Sequence, residues 1–175
     1  MVTTPTVSLD RRRPACWLLA LCAAVATFFP AASQAAGPSL KKNDRVIFLG
    51  DSITAAGVRP GGYVTLIRET ITKQLPELGV VVSGAGNSGN KVTDLQKRLD
   101  RDVISKKPTV VFIYIGINDV WHSLRDRGTK PDAFRSGLLD VIGRINKAGA
   151  RVILCTPSMI GEKTDGSNQL DKMLD

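Results

Sequence analysis

Short apolar runs alternate with longer amphipathic segments along most of the chain. The apolar runs are residues 46–49, 79–82, 110–115 and 151–155. Runs of this length, bounded by glycine, proline or polar residues, are typical of buried strands. Between the runs, apolar side chains recur at the spacing of one helical face, which predicts helices. The helices predicted in this way are residues 63–75, 91–106, 131–147 and the start of one at 168–174.

This alternation of strands and helices predicts an α/β fold. The strands are apolar at consecutive positions, which favours a parallel sheet whose two faces are both covered by helices. Strands in such a sheet are joined by right-handed crossovers. The sequence has no repeat or low-complexity tract, so residues 37–175 are predicted to form one domain.

Residues 1–36 have the pattern of a secretory signal peptide. Arg11, Arg12 and Arg13 precede an apolar stretch at residues 15–29, and small residues follow up to residue 36. We expect cleavage near Ala35 or Ala36 and a secreted or periplasmic protein. The 15 apolar residues are fewer than the ~20 that span a bilayer, so no stable membrane anchor is expected. Cys155 is the one cysteine after the signal, which excludes an internal disulfide.

Charge and composition argue against a nucleic-acid partner. Three arginines and one aspartate lie in residues 1–36, so the formal charge of the remaining chain is +6 rather than +8. Its basic residues are scattered and often adjoin acids, as on a solvated surface, whereas a nucleic-acid interface clusters them on one face. Examples are Lys41, Lys42, Arg59, Arg98, Arg101, Lys106, Lys107, Arg125 and Arg127. One histidine and one mature cysteine do not make a typical metal site, so neither a metal nor a cofactor is expected.

Three loops follow consecutive predicted strands at residues 50–54, 84–90 and 116–119. In a parallel sheet these loops share the edge where α/β proteins bind their ligands. The first offers the hydroxyl of Ser52, the second exposed backbone N–H groups, and the third the carboxamide of Asn118. Together they have the composition of a nucleophile with an oxyanion hole. Each loop also has a plain explanation, such as Asp51 or Ser52 capping a helix.

The motifs in these loops are GDSIT, GNSGN and GIND, and they resemble the first three signature blocks of the SGNH hydrolases, or GDSL esterases and lipases. The resemblance extends from residue 46 to about residue 157. It implies a flavodoxin-like α/β/α sandwich and an esterase, with Ser52 as nucleophile. Gly89 and Asn118 would complete the oxyanion hole with the Ser52 N–H. Asp51 and Asp119 adjoin these residues and are predicted to support them.

The fourth block of that family, Asp-x-x-His, has no match in the chain. Its one histidine is His122, which follows Asp119 by three residues. We interpret His122 as a surface or substrate-edge residue beside Trp121, and as the catalytic base only in the alternative case. A serine hydroxyl needs a base to become an effective nucleophile. The chain is therefore expected to be C-terminally incomplete relative to the family, and weak or inactive as an esterase by itself.

The sequence does not decide between small-molecule esters, lipid esters and acetylated carbohydrates as substrates, although it slightly favours acetylated carbohydrates. Two other classes also fit parts of the sequence. A chain without a base could be a catalytically dead module that binds glycans or acyl groups. Residues 84–89 also satisfy the glycine fingerprint of dinucleotide-binding domains, although they follow the second strand rather than the first. The sequence carries no signal for an oligomeric state.

Overall fold

The computed structural model describes residues 39–158 together with residues 163, 165, 167 and 168. A four-stranded parallel sheet forms its centre, with the strand order β2-β1-β3-β4. The strands are β1 (Arg45–Gly50), β2 (Val81–Gly86), β3 (Val110–Tyr114) and β4 (Arg151–Leu154). The prediction of a parallel α/β sheet is confirmed. The predicted signal peptide at residues 1–36 and nearly all of the predicted helix at 168–174 lie outside the described residues.

Within the described residues, five α-helices connect these strands. They are α1 (Ser52–Gly57), α2 (Tyr63–Gln74), α3 (Val92–Asp102), α4 (Ile117–Trp121) and α5 (Pro131–Lys147). Single turns of 3₁₀-helix occur at Pro76–Leu78, Ile104–Lys106 and His122–Arg125. The three long helices match the predicted ones. The apolar pattern does not predict α1 and α4, because five or six residues are too few to show a helical repeat of apolar positions. The helix that Asp51 or Ser52 was expected to cap in the plain explanation of the first loop is α1, and its N-cap is Asp51.

The sheet is covered on both faces, as the apolar strands predict. Ile47 and Leu49 of β1 belong to a buried cluster that includes apolar residues of α3 and α5. Val46 and Phe48, which point to the opposite face, pack in a second cluster with Val64 of α2. Alternate residues of one strand therefore enter two cores, and the architecture is the three-layer α/β/α sandwich expected from the sequence. In the described part of the chain, no helix has the length and apolar character needed to cross a membrane.

Strand register brings three chain segments out of the sheet at one level. Gly50, the last residue of the central strand β1, pairs with Gly86 of β2 on one side and with Tyr114 of β3 on the other. The three segments that follow these residues are the three loops in which we predicted catalytic groups. Their common starting level places them side by side at the carboxyl edge of the sheet.

Glycines at the ends of β1 and β2 allow α1 to lie directly on this edge. A Cβ on Gly86 would overlap the backbone of Thr54 and Ala55, and one on Gly50 would overlap the side chain of Thr54. The Thr54 hydroxyl also hydrogen-bonds Tyr63 of α2 at 2.9 Å, which ties α1 to α2. This close packing sets the position of Ser52, the first residue of α1.

We predict that Gly86→Ala destabilises the fold by about 1–3 kcal/mol, because its methyl group overpacks the contact with α1. Gly143→Ala is the matched control. It lies in α5 with no atom within 4 Å of its Cβ position, so it is expected to stabilise by up to about 1 kcal/mol. Urea unfolding of both variants measures the difference. Equal stability of the two variants would contradict the close packing of α1.

Candidate active site

Ser52 occupies the first turn of α1 with its polar groups free. Asp51 is the N-cap, and its Oδ1 accepts the N–H of Ile53 at 3.0 Å. Its carbonyl accepts the N–H of Ala55 at 2.9 Å. The first N–H groups of a helix have no partner within the helix, and neither the N–H nor the hydroxyl of exposed Ser52 has an acceptor or donor in the described part of the chain. Ser52 thus presents a hydroxyl and an N–H donor side by side at the edge of the sheet.

The second loop is shorter than the sequence suggested. We predicted a loop at residues 84–90, but β2 continues to Gly86, so the loop begins at Asn87. Positions 84 and 86 are glycine because Val58 and α1 pack closely against β2 there and leave no room for a Cβ, not because the chain turns. Since the first two fingerprint glycines, Gly84 and Gly86, lie within a strand, the interpretation of 84–89 as a dinucleotide-binding loop loses its structural basis.

Gly89 lies at the exposed bend of this loop. Its φ of +75° is in the region that favours glycine, while a Cβ there would meet nothing within 4 Å. The loop is held at its start by the Asn87 N–H, which donates to the Gly50 carbonyl at 3.2 Å. The Gly89 N–H donates to no group in the part of the chain that the structure describes. It is a second free backbone donor near the end of β1.

Asn118 joins the third loop to the other two. It is only 3% exposed and lies in the first turn of α4. Its Nδ2 donates to the carbonyl of Asn90 at 3.1 Å and lies 3.4 Å from Oδ2 of Asp51. The structure therefore brings together the loops of Ser52, Gly89 and Asn118, with the carboxamide of Asn118 between them.

The two predicted supporting aspartates are buried and hold backbone N–H groups. Asp119 is 2% exposed, and both of its carboxylate oxygens accept the N–H of Val92, at 3.2 Å each. This contact anchors the start of α3 to α4. Burial raises the pKa of both Asp51 and Asp119, although hydrogen bonds, such as that from the Ile53 N–H to Asp51, act in the opposite direction. Their contacts support the geometry of the loops.

In the described residues the side chain of His122 makes no hydrogen bond with Ser52. His122 is half-buried and lines a pocket of about 260 Å³ with Trp121, Leu124, Arg125 and Arg127. The ring centroids of Trp121 and His122 are 6.2 Å apart. Its backbone N–H donates to the carbonyl of Asn118 at the end of α4, but in the described residues no hydrogen bond links its side chain to any of the three loops. Its side chain lines this pocket at the end of α4.

Sequence reasoning missed Arg98. The prediction that it belongs to a solvated surface is wrong, because it is only 7% exposed. It donates to the carbonyls of Gly50 at 2.8 Å and Ala85 at 2.9 Å, and to Oδ1 of Asn90 at 2.6 Å. Its ion-pair partner is Asp102, at 3.0 Å. The available signal was its place between Leu95 and Leu99, on the helix face that the apolar residues assign to the core.

No group of three or more histidine, cysteine, aspartate or glutamate side chains in the described segments is arranged to hold a metal ion. The site consists of a hydroxyl, two free backbone donors and a carboxamide. Such donors suit the negative oxygen that forms when a nucleophile adds to a carbonyl group.

The chain belongs to the GDSL-like lipase/acylhydrolase family, whose model matches residues 48–174. An acetylxylan esterase of Geobacillus stearothermophilus is 35% identical in an alignment of 133 residues that covers 67% of this chain and 61% of that protein. An isoamyl acetate-hydrolyzing esterase 1 homolog of Rattus norvegicus is 28% identical over 125 residues, covering 67% and 49%. The resemblance to SGNH hydrolases drawn from the three motifs is confirmed.

A solved structure shares the fold. The acetyl xylan esterase AlAXEase superposes with a TM-score of 0.68 at 44% identity, over 74% of this chain and 66% of that one. The chain thus spans slightly less than two thirds of the length of this esterase and of the Geobacillus relative.

We predict a pH-dependent contribution of Asp102 to stability. Hydrogen bonds from Arg101 and then Arg98, together with their charges, lower the pKa of Asp102 from 3.8 to about 2 despite its partial burial. Because the folded pKa lies below the unfolded one, this contribution is present above about pH 4 and is lost as the pH falls towards 2. Asp102→Asn should lower the free energy of unfolding at pH 7 by about 1 kcal/mol.

Urea unfolding at pH 7, 4 and 2.5 measures this difference from the wild type. Asp100→Asn, which removes an exposed carboxylate paired with Arg144 from the same helix, controls for the loss of one negative charge and one surface ion pair. A difference for Asp102→Asn that is as large at pH 2.5 as at pH 7 would show that the ion pair is not its source.

Proposed function

We propose that this protein is a secreted serine esterase that hydrolyses carboxylic esters, with Ser52 as its nucleophile. One observation carries the proposal. The Asn118 carboxamide bridges the loops of Ser52 and Gly89, so that a hydroxyl and three N–H donors meet at one edge of the sheet. Membership in the GDSL-like lipase/acylhydrolase family supports it.

The oxyanion hole is assigned to the N–H of Ser52, the N–H of Gly89 and one N–H of Asn118. The two backbone groups have no acceptor in the described structure, so they remain available for a substrate. Asn118 uses one hydrogen on the Asn90 carbonyl. Its other hydrogen has only the long 3.4 Å contact with Asp51, and we assign that one to the substrate.

The proposed reaction proceeds in two steps. The Ser52 oxygen adds to the ester carbonyl carbon while its proton passes to a base, and the base gives that proton to the alcohol, which leaves as the acyl-serine forms. Water then adds to the acyl-serine and releases the acid. At both additions the carbonyl oxygen becomes negative, and the three donors stabilise it.

The base is the part of this mechanism that the described residues do not supply at Ser52. His122 bonds the third loop through its backbone N–H, and in the described residues its side chain makes no hydrogen bond to the three loops. The resemblance implies an Asp-x-x-His pair that the sequence lacks. The relatives are longer than the region they share with this chain. We propose that the native protein extends beyond residue 175 and that the base lies there.

We propose acetyl esters as substrates, with acetylated carbohydrate favoured. The names of the Geobacillus and rat relatives both describe acetate esters, although the alcohol differs between a polysaccharide and a small alcohol. A small acyl group with a variable alcohol is the common element. Export by the predicted signal at residues 1–36 gives a secreted or periplasmic enzyme access to polysaccharide.

A second candidate is a binding module that retains the loops but has no turnover. The absence of a base at Ser52 in the described structure favours it. The free donors at Ser52 and Gly89 argue for the esterase, because an acyl- or glycan-binding site has no chemical need for them beside a hydroxyl.

We predict that hydrolysis of p-nitrophenyl acetate depends on Ser52 and Asn118. The assay compares residues 37–175 with the chain extended to the stop codon of its reading frame. The extended chain should be much faster, Ser52→Ala should abolish its turnover, and Asn118→Ala should lower kcat by about 10²–10³-fold. His122→Ala should leave it near the wild-type value.

Ser88→Ala is the matched control, because Ser88 is an exposed serine in the neighbouring loop. Binding of acetylated xylooligosaccharide without turnover in both chains would favour the binding module. Turnover by residues 37–175 that is lost in His122→Ala would instead identify His122 as the base.

A further inference from the structure

We propose that Arg98 is the positioning residue of the oxyanion hole, an inference that rests on the esterase function proposed above. Arg98 lies beneath the loops, and no described contact joins it to Ser52, Gly89 or Asn118 directly. It acts through the groups that set where those donors lie. These groups are the Gly50 carbonyl, the Ala85 carbonyl and the Asn90 side chain.

The guanidinium of Arg98 is buried and almost fully bonded. Four hydrogen bonds, to Gly50, Ala85, Asn90 and Asp102, engage three of its nitrogens at distances from 2.6 to 3.0 Å. Asp102 supplies the opposite charge that a cation with 7% exposure requires. A group bonded in this way has one orientation, so it can act as a rigid reference for its partners.

Arg98 fixes both ends of the loop that carries Gly89. At the start of the loop, the Gly50 carbonyl accepts from Arg98 and also from the Asn87 N–H at 3.2 Å. At its end, the Asn90 side chain accepts from Arg98. The Gly89 N–H lies between these two points, so its direction depends on the guanidinium.

The same residue controls Asn118 through Asn90. The Asn90 side chain is bonded to Arg98, while the Asn90 carbonyl accepts from Nδ2 of Asn118 at 3.1 Å. A shift of Asn90 would therefore turn the carboxamide. In addition, Gly50 immediately precedes Asp51 and Ser52, so its carbonyl contact bears on the start of α1. The positions of all three proposed donors therefore depend on the guanidinium of Arg98.

Lysine cannot replace arginine in this arrangement. The planar guanidinium carries donors in several fixed directions, whereas an ammonium group presents three donors from a single nitrogen. A lysine keeps the positive charge beside Asp102 but cannot reach Gly50, Ala85 and Asn90 together. Arg98→Lys therefore separates the geometry of the residue from its charge.

We predict that Arg98→Lys lowers kcat for p-nitrophenyl acetate by about 10²-fold with KM within about threefold, since a misplacement of about 1 Å at a catalytic group costs this much. The enzyme used is the chain that shows Ser52-dependent turnover. Arg101→Lys is the matched control, because Arg101 is the exposed neighbour on α3 and bonds the same Asp102. Its kcat should remain within twofold of the wild type. A folded Arg98→Lys with wild-type kcat would overturn the proposal.

A spectroscopic test does not depend on turnover. The side-chain amide resonances of Asn118, assigned by their loss in Asn118→Asp, should shift in Arg98→Lys and stay in place in Arg101→Lys. Unchanged Asn118 resonances in folded Arg98→Lys would overturn the positioning role. A wild-type protein without Ser52-dependent turnover would count against the esterase instead, and the two failures are distinguishable.

Asn90→Ala provides a second variant should Arg98→Lys not fold. It removes one acceptor of Arg98 and leaves the contacts with both strand carbonyls. We expect it to shift the Asn118 resonances and to lower kcat, and the double variant with Arg98→Lys should lose little more than the worse single variant. Unchanged resonances in Asn90→Ala, or fully additive losses, would show that Arg98 does not act through Asn90.

Discussion

The parallel pairing of β1 with β2 and β3 is the constraint on which the site depends. Gly50 is in register with both Gly86 and Tyr114, so three chain segments leave the sheet at one level. A slip of one residue would exchange the two faces of β1, so that Ile47 and Leu49 would enter the core in which Val46 and Phe48 pack, and the packing of both cores would be lost. The hydrophobic cores on the two faces therefore fix the register, and the register fixes which loops are neighbours. The packing of the two cores in this way determines where the polar groups lie at the edge of the sheet.

Hydrogen-bond partners at this edge divide into two sets. Buried acceptors take up the backbone N–H groups that would otherwise lack partners, as Asp51 does for Ile53 and Asp119 for Val92. The N–H groups of Ser52 and Gly89 receive no such acceptor in the described structure. Burial of Asp51 and Asp119 is costly, and it raises the pKa of both. The cost of burying Asp51 and Asp119 is consistent with a role in fixing the positions of α1 and α3 beside the Ser52 and Gly89 donors.

Much of the fold was predictable because long helices show a periodic spacing of apolar residues and buried strands are short apolar runs. The helix at residues 131–147 and the parallel sheet follow from apolar spacing alone, and three motifs locate the loops. The short helices α1 and α4 lack enough residues to show a repeat. The end of β2 was missed because glycine was taken as a turn signal, whereas Gly86 accommodates the packing of α1. Arg98 was missed because a cation is usually solvated, and only the tertiary structure supplies its four acceptors.

The central claim is that Ser52, Gly89 and Asn118 form one nucleophile and oxyanion hole. A crystal structure of the enzyme after reaction with an alkyl fluorophosphonate tests it most directly, because the phosphoryl oxygen stands where the oxyanion would be. We predict a covalent bond from the phosphorus to the Ser52 oxygen. The phosphoryl oxygen should lie about 2.7–3.1 Å from the Ser52 N, the Gly89 N and Nδ2 of Asn118. Phosphorus on another residue, or a phosphoryl oxygen that turns to solvent and away from Gly89 and Asn118, would contradict this account.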